Sequence, residues 1–393
     1  MPTAIVQRMV GRDPTEAHRA STPLELLFDL TFVVAIAQCA ASLHYGIADD
    51  HIAASLEAYP KVFFAIWWAW MNFTWFASAY DTDDAFYRLA VFVQMSGVLI
   101  LAAGVPRAFD SGDFAMVTIG YLVMRAGLVS LWVRAAGADP ANRRTALRSA
   151  ASLAVLQAGW LLLLTASVDV GRVGFVVLVA LELMAPVWAQ QAGATGWHPH
   201  HIAERYGLFT IIVLGESVLS ATIGVQTALD AGEALGDIVP VIVGGLLIVF
   251  ALWWLYFDQP AAAVAGRARS DRAHATQWAF LWGYGHYAVF ASAAATGAGL
   301  AVAVDHATEH SEISGVVAGL ALTVPIVVFT LTLWALHGSE RPEGFRQVHP
   351  FVVAVLVLGA SWTPQPALIA GVVLAGTVVV IVGVGHRAGA DAG

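Results

Sequence analysis

Apolar runs of about twenty residues recur from one end of this chain to the other, and each is long enough to cross the hydrocarbon core of a bilayer. They fall near 22–44, 58–80, 86–106, 113–134, 146–168 and 172–190, and again near 202–225, 237–257, 276–303, 314–337, 348–363 and 366–386. In lipid every backbone N–H and C=O must be satisfied within the segment, so runs of this length predict helices. The expected fold is therefore all-α, a polytopic membrane protein of about twelve transmembrane helices. Pro364 and Pro366 leave the last two runs open to either two short spans or one re-entrant pair. Composition agrees, with 59% hydrophobic and only 12% charged residues, against about 25% charged in soluble domains. No basic run exists to hold nucleic acid. The single Cys39 excludes an intrachain disulfide and a cysteine-based zinc site.

The cationic residues orient the spans. With the N-terminus in the cytoplasm, Arg8, Arg12, Arg19, Arg88, Arg134, Arg143, Arg144, Arg148, Arg205, Arg267, Arg269, Arg272, Arg341, Arg346 and Arg387 all lie on or near the cytoplasmic side, while only Lys61, Arg107 and Arg172 lie outside. Both termini are thus expected in the cytoplasm of a cell with the protein in its inner membrane. The outer loops, Asp230 to Asp237 and Asp305 to Glu312, are acidic, which decides nothing about orientation. The first twenty residues lack a signal-peptide core, so the first span is expected to serve as the targeting signal.

The two halves of the sequence resemble each other. With one gap, Leu30 to Gln38 lies over Leu208 to Glu216, and Phe76, Tyr80 and Asp81 lie over Trp253, Phe257 and Asp258. Two parallel six-helix repeats are expected, with an N-terminal segment over 1–21, repeats over 22–190 and 202–386, a linker over 191–201 and a tail over 387–393. Chance likeness between apolar helices is the alternative.

Against this background the polar residues inside spans are the informative ones, because an ionisable group in hydrocarbon is costly and is a functional candidate by default. The stretch HPHHIAERYGLFTIIVLGESVLS, His198 to Ser220, carries Glu204 and Arg205 at one end and Glu216 near the middle of its span. Arg205, Phe209, Ile212, Glu216 and Ser220 share one helical stripe, with Ser217 beside it. Glu216 reads as an ion or proton site, or as a carboxyl neutralised or paired for packing alone. In the first span Glu25 and Asp29 stand one turn apart and repel unless one is protonated or a cation lies between them. They are a candidate ion site, or simply complement the N-terminal dipole of a helix capped by Ser21 or Thr22. Gln38 lies near the depth of Glu216 in the other repeat.

Arg125 and Glu182 each fall in the middle of a span, and Arg125 needs a partner in either Glu182 or Glu216. Gly120 and Gly127 beside it allow another helix close approach. His198, His200, His201 and Glu204 have spacings seen in helical metal sites, but without HExxH, a second His motif or Cys they read better as a pH-sensitive cap on the seventh helix. His286 is either a satisfied core group or a proton relay. Asp81, Asp83 and Asp84 form a tight loop that either attracts cations to a pore mouth or caps the third span. The tryptophans of the second and eighth spans read as packing and interface anchors. No P-loop, GxSxG or dinucleotide fingerprint appears, which points away from an enzyme, and no cofactor is expected.

PLELLFDLTFVVAIAQ, WWAWMNFTWFASAYDTDD and HHIAERYGLFTIIVLGES together resemble the bacterial low temperature requirement A family. The resemblance covers most of the chain and implies a multi-pass inner-membrane protein named for a need in cold growth, with no settled activity and no catalytic residues to carry over. Glu25, Phe28, Asp29 and Phe32 also look somewhat like the first-helix signature of the lysosomal-type potassium channels, which would put the first and seventh spans beside a pathway. Leu208, where a second Asp would fall, departs from that pattern.

The expected function is a channel or transporter for a small ion or solute. Its pathway candidates are Glu25, Asp29, Gln38, Asp81, Arg125, Glu182, His201, Glu204, Arg205, Glu216, Ser217, Ser220 and His286. A membrane enzyme or lipid-homeostasis factor supporting growth in the cold is the second class, and a non-transporting scaffold or sensor the third. The expected partners are the lipid bilayer and the small ion or solute, without nucleic acid; a homo-oligomer is left open.

Overall fold

The computed structural model describes residues 6–13, 16, 19–193, 195–230, 232, 235–258, 272–336 and 345–390. Arg267, Arg269, Arg341 and residues 391–393 lie outside the described residues, as does part of the expected outer loop from Asp230 to Asp237. Among the described residues the chain is wholly helical: α1 Pro23–Ala48, α2 Ile52–Ala79, α3 Ala85–Asp110, α4 Ala115–Ala138, α5 Arg143–Leu163, α6 Val168–Gln190, α7 Pro199–Asp230, α8 Leu235–Phe257, α9 Arg272–Ala307, α10 Gly315–Leu336, α11 Phe345–Gly359 and α12 Pro366–Ala390.

Ten of these helices are long and apolar enough to cross a membrane, which makes the chain a polytopic membrane protein. Twelve helices are present among the described residues, and two of them stand apart from the other ten. At 28 residues α2 is long enough to span, but Glu57, Pro60, Lys61, Asn72 and its many aromatic residues dilute its aliphatic content. The 15 residues of α11 end in a 3₁₀ turn at Ala360–Trp362, short of a bilayer crossing, before Pro366 starts α12.

The chain forms two compact units. The first comprises residues 1–38 and 61–206, the second 39–60 and 207–393. In the first unit α3 and α4 pack backbone to backbone through glycines. A Cβ on Gly120 would lie 2.4 Å from Leu101 N, and one on Gly127 would lie 2.7 Å from Ala90 O. In the second unit the long α9 is the most buried helix. Gly297 lets it close on Ser217 of α7, and Gly299 lets it close on Ala321 and Leu322 of α10. Gly244 and Gly371 bring α8 and α12 together in the same way.

Candidate functional site

At the start of α1 the sequence Thr-Pro-Leu-Glu makes a capping box. Glu25 N–H donates to Thr22 Oγ1 at 3.2 Å, Thr22 N–H donates to Glu25 Oε2 at 2.8 Å, and Pro23 stands where no intrahelical N–H is needed. One oxygen of Glu25 is thus a helix cap. The other, Oε1, stands 3.0 Å from His201 Nε2, 3.1 Å from Arg205 Nη1 and 3.6 Å from Arg19 Nη2. One turn on, Asp29 accepts from Arg205 Nε at 2.8 Å, from Arg205 Nη2 and from Trp70 Nε1 at 2.6 Å. The cation between the two carboxylates is therefore the Arg205 guanidinium, whose planar fork suits paired carboxylate oxygens. All of these side chains are buried.

The N-terminal segment completes the cluster. Arg19 donates to Ser78 O at 2.6 Å and Ala77 O at 2.7 Å, satisfying the exposed carbonyl end of α2. Arg12 Nη1 donates to Asp81 Oδ2 at 3.2 Å, its N–H donates to Ala79 O at 2.9 Å, and the His198 ring contacts Glu16 O at 2.8 Å. Arg12, Arg19 and Arg205 thus face Glu25, Asp29 and Asp81, and Arg12 also pairs with Glu16 at 2.7 Å. Burial, helped by the negative charge of Glu25, pushes the Asp81 carboxyl up to about 6, with Arg19 and Arg12 pulling the other way.

Asp84 behaves oppositely. Burial would raise its carboxyl, but hydrogen bonds from Arg134, from Tyr87 N–H and from Gln7 N–H hold it below the ordinary carboxylate range while it caps α3. Asp83 pairs with Arg88 at the surface. Each acid of this loop has a cationic partner, so the loop is not an open funnel for cations.

The three histidines and Glu204 do not converge on a metal site. His198 turns to Glu16 and Ser78, His201 to Glu25, and Glu204 accepts from Ser21 N–H at 3.4 Å. His198 and His201 are buried. Among the described residues no group of three or more His, Cys, Asp or Glu is placed to hold a metal ion.

A second buried pair sits elsewhere in the first unit. Arg125 donates to Glu182 at 2.5 Å, to Tyr121 Oη at 2.9 Å and to Leu153 O at 3.1 Å, while Trp160 and Trp68 donate to the two Glu182 oxygens at 2.8 and 2.9 Å. The guanidinium also lies over the Tyr121 ring, 4.4 Å from its centroid. The two clusters differ in one respect. Around Glu182 both carboxylate oxygens have donors, with Gln157 Oε1 of α5 left unpartnered nearby, whereas in the first cluster Arg19 Nε, Ser21 Oγ, Tyr87 Oη and His201 Nδ1 are buried without a hydrogen-bond partner among the described residues, and so is Thr74 Oγ1 on the α2 face that carries Trp70.

In the second unit Glu216 is buried. Ser220 Oγ donates to its Oε1 at 3.2 Å, and its Oε2 has no hydrogen-bond partner. Ser217 donates to Val213 O at 3.2 Å and Ala293 O at 3.0 Å. It also lines a half-open, largely apolar cavity of about 170 Å³ with Thr222, Gln226, Val241 and Leu300. His286 is bonded at both ring nitrogens, to Trp282 O at 2.7 Å and Tyr256 Oη at 3.1 Å. Gln38 is exposed on the surface of α1.

Sequence reasoning missed Arg19, Trp70, Thr74 and Tyr87. Trp70, Thr74, Ala77 and Ser78 share a face of α2 at helical spacing, and the polar tips on that face were the available signal.

The sequence matches the family described as bacterial low temperature requirement A protein (LtrA) over residues 20–384. Uncharacterized protein RA0937 of Rhizobium meliloti (strain 1021) is 28% identical over 385 residues, spanning 95% of this chain and 90% of that protein. No solved structure matches. Since the family match runs from the N-terminal segment through most of α12, the chain belongs to the bacterial low temperature requirement A family.

Proposed function

We propose that this protein is a channel or transporter for a small ion or solute, not an enzyme, with Glu25, Asp29 and Glu216 in its polar pathway and both termini on the cytoplasmic side of the inner membrane. The observation that carries this reading is the contrast between the two buried clusters. A charge pair kept only for packing closes on itself, as Arg125 and Glu182 do with Tyr121, Trp68 and Trp160. The cluster at Glu25 and Arg205 keeps hydrogen-bonding capacity in reserve, and so does Glu216. A buried polar atom without a partner costs about 1–3 kcal/mol, so several together are expensive unless they serve a passing ligand.

The test is flux through purified protein in liposomes loaded with different cations, at several external pH values, for the natural sequence, Glu216→Gln and Glu25→Gln. Selective flux abolished by either change supports the reading. Absence of flux for every cation and for protons refutes it and favours a role in lipid composition, to be sought in the lipid profile of a deletion strain.

A further inference from the structure

We propose that the first unit encloses a small buried chamber of ordered water, and that this water carries protons between Asp81 and the pair formed by Glu25 and His201. The inference rests on the transport reading and names the ion. Four elements converge on the chamber. Thr74 comes from α2 on the same face as Trp70 and Ser78, Tyr87 from α3, Glu25 from α1, and His201 and Arg205 from α7. Tyr87 is fully buried, with Asp81, Glu25, Arg205 and Arg19 as its electrostatic neighbours, yet its hydroxyl has no hydrogen-bond partner.

The unengaged atoms are a mixture. Tyr87 Oη and Thr74 Oγ1 both donate and accept, and Arg19 Nε only donates, while Glu25 Oε1 can accept a further hydrogen beside its charged contacts with His201, Arg205 and Arg19. An anion would satisfy only the donors and a bare cation only the acceptors. Water satisfies both, and buried water is found where several polar groups lack partners.

A proton from bulk solvent adds to the Asp81 carboxylate, the least buried acid of the cluster. It then passes along water beside Tyr87, each oxygen accepting one proton and releasing another, and ends on the His201 ring, beside Glu25 Oε1. Every relay oxygen finishes with the hydrogens it began with. The groups that face Asp81 are Arg12 and Arg19 of the N-terminal segment, Glu25 of α1 and Asp83 of its own loop. Tyr87 counts Asp81 among its neighbours from α3. Burial keeps Asp81 near 6, where it can exchange protons around neutral pH.

Two measurements test this on the full-length protein. In hydroxyl-radical footprinting in nanodiscs, Tyr87 should be labelled while the equally buried Phe63 is not, because internal water generates the radical in place. In proteoliposomes holding a pH-sensitive dye, Tyr87→Phe and Thr74→Val should each slow proton flux by about tenfold, the worth of one hydrogen-bond link. Tyr87→Phe removes only an unpartnered hydroxyl, so it should fold and melt like the natural sequence. An unlabelled Tyr87 overturns the chamber. Proton flux unchanged in both variants, or flux of metal cations without protons, overturns the relay and leaves transport standing. No flux of any ion overturns transport and relay together.

Discussion

Arg205→Met is the perturbation with the largest effect that can be worked out from the geometry. It removes the guanidinium that donates twice to Asp29 and stands 3.1 Å from Glu25, leaving Asp29 with Trp70 as its donor and Glu25 with His201 and the more distant Arg19. Breaking a buried pair by deleting one partner costs about 3–5 kcal/mol, most of it the penalty of an uncompensated buried charge. Removing both partners avoids that penalty, so Arg205→Met combined with Asp29→Leu should recover most of the loss and lie within about 2 kcal/mol of the natural sequence. The assay is reversible unfolding in mixed micelles with increasing sodium dodecyl sulfate, followed by tryptophan fluorescence, to which Trp70 itself reports. A single variant within about 1 kcal/mol of the natural protein, or a double variant no more stable than the single, would refute the pairing as a stabilising buried interaction.

Two further outcomes follow from the same structure. Asp81 has a carboxyl raised from its ordinary 3.8 to about 6, a gap worth roughly 3 kcal/mol at about 1.4 kcal/mol per pH unit. A raised carboxyl stabilises the fold fully below 3.8 and loses that contribution as pH climbs through about 6, so the melting temperature in detergent should fall over this window and the slope should flatten in Asp81→Asn. Gly120→Val drives a side chain into Leu101 N and Gly97 O and should cost about 2 kcal/mol or more in the unfolding assay, whereas Gly137→Ala, with open space around it, should be neutral or slightly stabilising.

The helical membrane fold was legible because length and apolarity are sufficient to define a span. The two misfits are equally physical. Trp67, Trp68, Trp70 and Trp75 make α2 less apolar than its length suggests, and Trp70 and Trp68 spend their N–H groups on Asp29 and Glu182 rather than at a bilayer interface. The spacing of Glu25 and Asp29 announced that a cation or proton must separate them, and Arg205 is itself a conspicuous charge at the start of the seventh span. What one sequence does not reveal is that residues 176 positions apart meet, since nothing local in either helix specifies the other. Arg19 was hidden for a different reason. A cationic residue before the first span reads as an orientation signal, yet here it folds back onto the carbonyls that end α2.

The satisfied cluster at Arg125 and Glu182 has its own logic, which sharpens the contrast with the open one. Helix α6 exposes Val173, Val176, Val177, Leu181 and Met184, and Glu182 and Ala189 are its buried residues. In water such a helix would be held by burying an apolar face, but lipid tails are as apolar as valine, so that driving force is missing inside a bilayer. Polar links and close backbone contact must do the holding. Glu182 provides the first through Arg125, Trp68 and Trp160, drawn from α4, α2 and α5, and where α5 and α6 meet the Leu178 and Leu163 side chains seat over Gly159 and Gly174. An ion pair can therefore be costly to bury and still be structural, provided each of its oxygens finds a donor. The pair at Arg205 lies one step short of that condition, with Glu25 Oε1 and Arg205 Nη1 close but not aligned and the Tyr87 hydroxyl unpartnered among the same charges. Under the transport reading, that shortfall, rather than the mere presence of charge in a span, is what distinguishes the proposed pathway from a pair that holds helices together.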